Sequence, residues 1–363
     1  MLRAIHGGAF WSRLDPSFRT ARPETVAADV LDAWFGLPEP LLAGLAEELP
    51  FLLRVSPPTH SEGLESVIAE HRGLPAGSVL AADGSSRLIH LLLRRLVGPG
   101  DQILVLEPTY SEYRHVGQLV GARVEACRLF SEDGFAWSAE EWLKDLQANR
   151  PAVAVLVRPN NPTGTRIDPA DLLDAVPEST TLLVDEAYID YTDLESVEGA
   201  VAGRERLIVI KSLSKAYGLS GARLAYAVLP ERLREDLSSE IPPWSVSGVA
   251  QWLGCRIWDH SDWFQARRLE TTEMRRGLVR ELERFSGRVL ADCANWVLWE
   301  LPSPWVNAEV VPKLAELGVY VRDAAATAPS LSSGTIRIAV RPPEEQARLL
   351  RALDGVLGSP AKS

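Results

Sequence analysis

Two stretches carry the reading of the fold: AVAVLVRPN, residues Ala152–Asn160, and TLLVDEAYI, residues Thr181–Ile189. Each is a short, continuous apolar run that ends in polar residues and a turn signal. A strand with one face in water alternates apolar and polar side chains, whereas a strand buried on both faces does not need to. Both runs therefore read as parallel strands in the interior of a sheet covered by helices. RLIVIKSLS (Arg206–Ser214) and ARLAYAVL (Ala222–Leu229) continue the series.

Working outward, strands and helices alternate. SVLAADG and QILVLEPTY read as strands, each followed by a helical stretch, SSRLIHLLLRRL and SEYRHVGQLVGA, and RVEACRLF is a further strand. Upstream, SEGLESVIAEHRG reads as a helix from Ser61. This order implies an α/β fold: a large domain with a mostly parallel sheet flanked by helices. After Pro242 the texture changes to a long helical tract over Val246–Ser286, then strands, a helix, two strands and a closing helix, which read as a smaller α+β domain. The expected division is an N-terminal segment, 1–45, packing with the small domain; a large domain, 46–245; and a small domain, 246–363.

The bulk numbers exclude several functions. The chain has 363 residues, is 46% hydrophobic and carries a formal net charge of −11. An acidic chain is repelled by phosphate backbones, so nucleic acid is not the expected partner. No apolar run reaches the roughly 20 residues of a membrane span. MLRAIHGGAFWSRLD lacks the apolar stretch of a secretory signal, and Cys127, Cys255 and Cys293 are too scattered for a metal site or a disulfide framework. A cytoplasmic protein is expected, and the histidines show no metal-ligand spacing.

The unusual residues gather at the carboxyl ends of the strands, where open α/β sheets bind ligands. AADGSS ends one strand and opens a helix; Gly84, Ser85 and Ser86 suit a phosphate at that helix start, although a plain cap is the commoner use of such a turn. RPNNPTG, with Asn161, ends another and is equally a tight turn. Asp185 follows three apolar residues, so its carboxylate should be buried and needs a cationic or proton-donating partner. Lys215, in SLSKAYGLSGARLAY (Ser212–Tyr226), is one of only five lysines in the chain. It follows a strand end, and such a lysine can bond an aldehyde cofactor. Ser212, Ser214 and Arg223 could gather on a phosphate. The rival, Lys211, lies inside the apolar run. Together a lysine, a buried acid, an Asn and a Tyr, and a Ser–Arg cluster are the groups that pyridoxal 5'-phosphate requires.

On these motifs, taken in this order over roughly Glu62 to Leu357, the chain resembles the fold-type-I pyridoxal-phosphate enzymes of the class I/II aminotransferase family. The resemblance implies that Lys215 carries the cofactor, that Asp185 pairs with the pyridine nitrogen, and that Tyr188 and Asn161 hold the ring hydroxyl. It implies that Tyr110, in EPTYSEY, stacks on the ring. Gly84, Ser85, Ser212, Ser214 and Arg223 would form the phosphate cup, and Arg337, in TIRIAV, would fork the substrate carboxylate. Two branches are similar: histidinol-phosphate aminotransferase, through VYVRDA and TIRIAV, and threonine-phosphate decarboxylase, through HGG at His6–Gly8 and PPWSVSGVAQ. Both handle phosphorylated substrates, which makes Arg322 a candidate for a distal anion. The resemblance also implies a homodimer.

The chain departs from both branches. LDAWFGLPEP (Leu31–Pro40) lacks their Asn-Pro stretch. LLRVSPPTHSEGL (Leu52–Leu64) lacks the tyrosine that crosses to the partner's phosphate, and Ser56, Thr59 or His60 could stand in for it. A substrate different from those of either branch is expected. The expected reaction is amino transfer at Cα. Decarboxylation is the alternative, and a non-catalytic protein on the same fold is the alternative of another class.

Overall fold

The computed structural model describes residues 7–13, 17, 24–169 and 172–358, so His6 lies outside the described residues. The first strand, β1 (Val26–Ala28), joins a smaller sheet. The next seven are β2 (Val79–Ala82), β3 (Gln102–Glu107), β4 (Arg123–Arg128), β5 (Val153–Val157), β6 (Thr181–Asp185), β7 (Leu207–Ser212) and β8 (Ala225–Val228). They form one sheet in the order β2-β8-β7-β6-β5-β3-β4. All neighbours are parallel except at β8, which runs antiparallel to both β2 and β7.

Every residue of β5, β6 and β7 is buried. Along β5 the side chains divide between two cores. Val153, Val155 and Val157 pack in one with Leu88 and Leu92, while Ala154 and Leu156 pack in the other. This two-sided burial is the physical reason for the unbroken apolar runs. The first core layer is supplied largely by α3 (Ser85–Leu96) and α4 (Glu112–Leu119); α5 (Ala139–Asn149), α6 (Leu213–Ala216) and α7 (Glu231–Ser238) follow in chain order.

The second sheet has the order β1-β11-β12-β10-β9, with β9 (Arg288–Cys293), β10 (Trp296–Glu300), β11 (Val319–Asp323) and β12 (Thr335–Ala339). The N-terminal β1 pairs in parallel with β11, while the other pairs are antiparallel. Three residues carry no readable period, so β1 has no signal of its own in the sequence. The helix α1 (Glu39–Leu52) starts with Pro at its first turn and spans the boundary expected at residue 45.

The tract expected to be one long helix is two: α8 (Gly248–Arg256) and α9 (Ser261–Leu282), separated by a 3₁₀ turn. Ser247 caps α8 by accepting from the Ala250 N–H at 3.2 Å. α8 packs on α1 and on α2 (Glu62–Arg72). Gly254 permits that approach, since a Cβ there would lie 2.5 Å from Leu64 Cδ1. The turn buries Ile257 and Trp258 and starts α9 on a new line. With α8 on that side, we propose that the passages between the two domains lie at residues 29–38 and 257–260.

Candidate active site

The carboxyl ends of β3, β5, β6 and β7 open on a cavity of about 630 Å³ whose far wall is the second sheet. Lys215 sits on a single helical turn, Leu213–Ala216, directly after β7. Burial pushes its amine below the ordinary lysine value, and Arg223 and Arg337 add to the effect, while Asp32 opposes it. Lys215 Nζ donates to Asp32 Oδ1 at 3.2 Å.

Asp185, the last residue of β6, is 3% exposed. Its Oδ2 accepts from the Tyr113 hydroxyl at 2.7 Å and its Oδ1 from the Ala187 N–H at 2.9 Å. Burial raises its carboxyl above the usual range despite both hydrogen bonds. Lys211 lies four residues before Lys215 and does not line the cavity. It is 2% exposed and ion-paired to Glu186 at 3.3 Å, which also accepts from Arg158 at 2.6 Å. The rival lysine is part of a buried structural network.

Gly84 precedes α3 with φ +117°, a conformation that L side chains rarely adopt, and α3 has no side-chain cap. A Cβ on Gly84 would stand 2.4 Å from Arg223 Nη2. Arg223, itself at φ +61°, donates to the Ser220 carbonyl at 3.0 Å. Gly84, the α3 start and Arg223 thus form a cradle of N–H groups and one guanidinium, as an anion requires. Ser85 and Arg223 line the cavity; Ser86 bonds Tyr110 instead. Ser212 and Ser214 do not line it. Ser212 Oγ accepts from the Ser214 N–H at 3.3 Å, and the Ser214 carbonyl accepts from Ser220 Oγ at 3.0 Å. Ser220 occupies the wall position expected for them.

Tyr110, Asn161 and Tyr188 all line the cavity. Within RPNNPTG the two asparagines divide the work. Asn160 is buried and ties the turn together, accepting from Thr109 Oγ1 at 2.6 Å and donating to the Pro108 carbonyl at 2.8 Å. Asn161 faces Arg337, whose Nη1 donates to Asn161 Oδ1 at 2.7 Å.

Arg337 comes from β12 and Arg322 from β11, and the two are direct partners in the antiparallel register. Both line the cavity. Burial pushes the Arg337 guanidinium down to about 10, and burial also lowers Arg322. Arg337 Nε is buried with no hydrogen-bond partner. Asp29 steadies this corner: its carbonyl accepts from Arg337 Nη2 at 3.3 Å, and its Oδ2 accepts from the Gly8 and Ala9 N–H groups at 2.7 Å each.

Asp29, Asp32 and Ser220, which line the cavity, and Tyr113, which bonds Asp185, are positions that the sequence did not single out. Tyr113 had a signal, since it stands one helical turn after Tyr110 and near the end of β3. The two acids follow a three-residue strand and had none. The residues present fit a phosphorylated pyridine aldehyde: an amine for the aldehyde, a buried acid for the ring nitrogen and a cradle for the phosphate. Among the described residues no cluster could hold a metal ion, and no helix is long and apolar enough to cross a membrane.

Residues 50–353 match the family model described as aminotransferase class I and II. A histidinol-phosphate aminotransferase of Symbiobacterium thermophilum is 34% identical over 318 residues, 83% of each chain. The solved histidinol-phosphate aminotransferase of Sinorhizobium meliloti, in complex with pyridoxal-5'-phosphate, is similar at TM-score 0.82 and 19% identity over 93% of this chain and 91% of that one. The L-threonine-O-3-phosphate decarboxylase of Porphyromonas gingivalis is similar at TM-score 0.78 and 21% identity, over 91% and 98% of the two chains. These structural likenesses establish the fold.

Proposed function

The chain belongs to the class I and II aminotransferases, and from that premise we propose that it moves the amino group of an amino acid whose far end carries a phosphate or another anion. It is an enzyme that uses pyridoxal phosphate and works at the substrate Cα. The observation that carries the substrate class is the Arg322–Arg337 pair. Two like charges directly opposite in an antiparallel ladder are unfavourable. Here both face one cavity, where a substrate with two anionic groups would neutralise both.

The residues take these parts. Arg337 forks the substrate carboxylate, with its orphaned Nε as one of the two donors. Arg322 takes the distal anion. Asp185 holds a proton on the ring nitrogen, with Tyr113 and Ala187 fixing its orientation. Gly84, Ser85, Ser220 and Arg223 would hold the cofactor phosphate, Tyr188 and Asn161 its ring hydroxyl, and Tyr110 its ring. Bound pyridoxal phosphate supplies an electron-accepting ring that stabilises charge at Cα. Lys215, whose amine gives up its proton more readily because it is buried, would move the Cα proton.

One observation favours the second reading, loss of the carboxylate as carbon dioxide. Gly7 lies on the cavity wall and Gly8 bonds Asp29, whose carbonyl holds Arg337. This segment therefore bears on how the carboxylate is aimed, and the bond aligned with the ring's electron system is the one that breaks. We further propose a cytoplasmic homodimer. Phe51, Leu53 and Trp244 are all more than half exposed, at the end of α1 and in the loop that bonds Thr59, and Cys127, Cys255 and Cys293 are free thiols.

The test is to mix the cofactor-loaded protein with amino acids, phosphorylated and not, without any keto-acid acceptor. A keto acid released one-for-one with bound cofactor, fastest from an anion-tailed substrate, is expected. Catalytic release of carbon dioxide would make the second reading the function. Equal rates for tailed and untailed substrates would remove Arg322 from the site.

A further inference from the structure

Asp32 was not among the residues that the motifs singled out, yet among the described residues it makes the one ion pair of Lys215. Lys215 Nζ donates to Asp32 Oδ1 at 3.2 Å, and both residues line the cavity. The pair joins residues 183 apart in the chain. Asp32 arrives from the loop after β1, on the second sheet's side, and Lys215 from the end of the large sheet. We propose that Asp32 is the positioning residue of Lys215: it holds the amine as an ammonium in the cofactor-free site, and so sets the pH at which the site loads. The proposal rests on the reading of Lys215 as the cofactor's lysine.

The charged groups around the pair support this role. Arg223, from the loop after the Lys215 turn, and Arg337, from β12, both push a proton off Lys215, and Asp32 keeps it on. Burial alone would make Asp32 harder to ionise. The charge of Lys215, the nearby Ser220 hydroxyl and the charge of Arg341 outweigh that and hold it as a carboxylate. Its side chain is 41% exposed, so water can solvate it when the ammonium is gone. The pair can thus open and re-form without stranding a buried charge.

The chemistry makes the consequence measurable. An ammonium has no lone pair, so loading requires that Lys215 lose a proton first. Overall, ammonium plus aldehyde give a carbon–nitrogen double bond, one water and that one released proton. Removing the Asp32 charge makes the proton loss easier and moves loading to lower pH.

The experiment uses cofactor-free protein at a series of pH values. Pyridoxal phosphate is added briefly, borohydride delivers hydride to the carbon–nitrogen double bond, and the labelled peptides are quantified by mass spectrometry. Lys144, which is 69% exposed, serves as the internal reference. In Asp32→Asn the midpoint of the Lys215 labelling rate should fall below that of the wild type, while Asp32→Glu should restore it and Lys144 should not move. Asp32→Ala repeats the test should the amide not fold, with folding judged by thermal melting. An unchanged midpoint in the charge-removing variant would overturn the role of Asp32. Wild-type protein labelled no faster at Lys215 than at Lys144 would instead overturn the reading of Lys215 on which the proposal rests.

Discussion

The Tyr113 hydroxyl donates to Asp185 Oδ2 at 2.7 Å, between two residues that are both buried and lie 72 apart in the chain. Burial pushes the Tyr113 phenol well above its usual value, so it remains the donor at any working pH. The bond also restrains Asp185, whose carboxyl burial drives upward. In Tyr113→Phe that restraint is gone and one buried carboxylate oxygen is left unsatisfied. The acid limb of the kcat/KM profile should move to higher pH, and denaturant titration should show a loss of about 1–3 kcal/mol.

Asp185 itself sets a pH dependence of stability. Its folded carboxyl sits above the ordinary value of 3.8, so between those two values the folded state binds more protons than the unfolded state. Stability from this group is therefore lost as pH rises through that window. Cofactor-free Asp185→Asn should match the wild type in thermal melting below the window and exceed it above. The same substitution should lower turnover of the loaded enzyme by 100-fold or more, about 3 kcal/mol of barrier.

Arg337→Lys keeps the charge and removes the fork. A charge-assisted hydrogen bond to a charged partner is worth about 1.5–3 kcal/mol. kcat/KM should fall roughly 10- to 150-fold, with cofactor affinity falling less, because Arg337 contacts Asn161 and Asp29 rather than the phosphate cradle. Steady-state kinetics beside cofactor titration separates the two effects.

Gly84→Ala places a Cβ 2.4 Å from Arg223 Nη2 at φ +117°. Arg223 can swing aside, but the backbone strain of about 1–3 kcal/mol remains, and the guanidinium leaves the cradle. Pyridoxal phosphate affinity, read by fluorescence titration, should weaken at least tenfold.

The two neighbouring lysines should fail in different ways. Lys215→Ala should abolish the covalent chromophore and turnover while leaving a folded protein. Lys211→Met breaks the buried bond to Glu186 but leaves Arg158 in place. It should cost about 1.5–3 kcal/mol in denaturant melting and still form the chromophore.

Much of the large sheet was legible because β5, β6 and β7 are buried on both faces, and only strands so placed need unbroken apolar runs. Their polar ends then marked Asp185, Asn161 and Lys215. Residues 1–45 were less legible: α1 spans the expected boundary, and β1 is three residues whose place in the sheet is set by pairing with β11. The 3₁₀ break at 257–260 was hidden because the apolar residues on either side keep a helical spacing, and it is packing of α8 on α2 that decides where the helix turns.

By itself the sequence determined the fold class and the family, and it marked several strand-end residues that line the cavity, because local chemistry at strand ends needs no knowledge of distant partners. The tertiary structure decided which charges meet. The β11–β12 register sets Arg322 opposite Arg337. The fold brings Tyr113 to Asp185, and Asp32 to Lys215 across 183 residues. Such pairings depend on register and on the placement of one sheet against another, and neither leaves a periodic trace in a chain read one residue at a time.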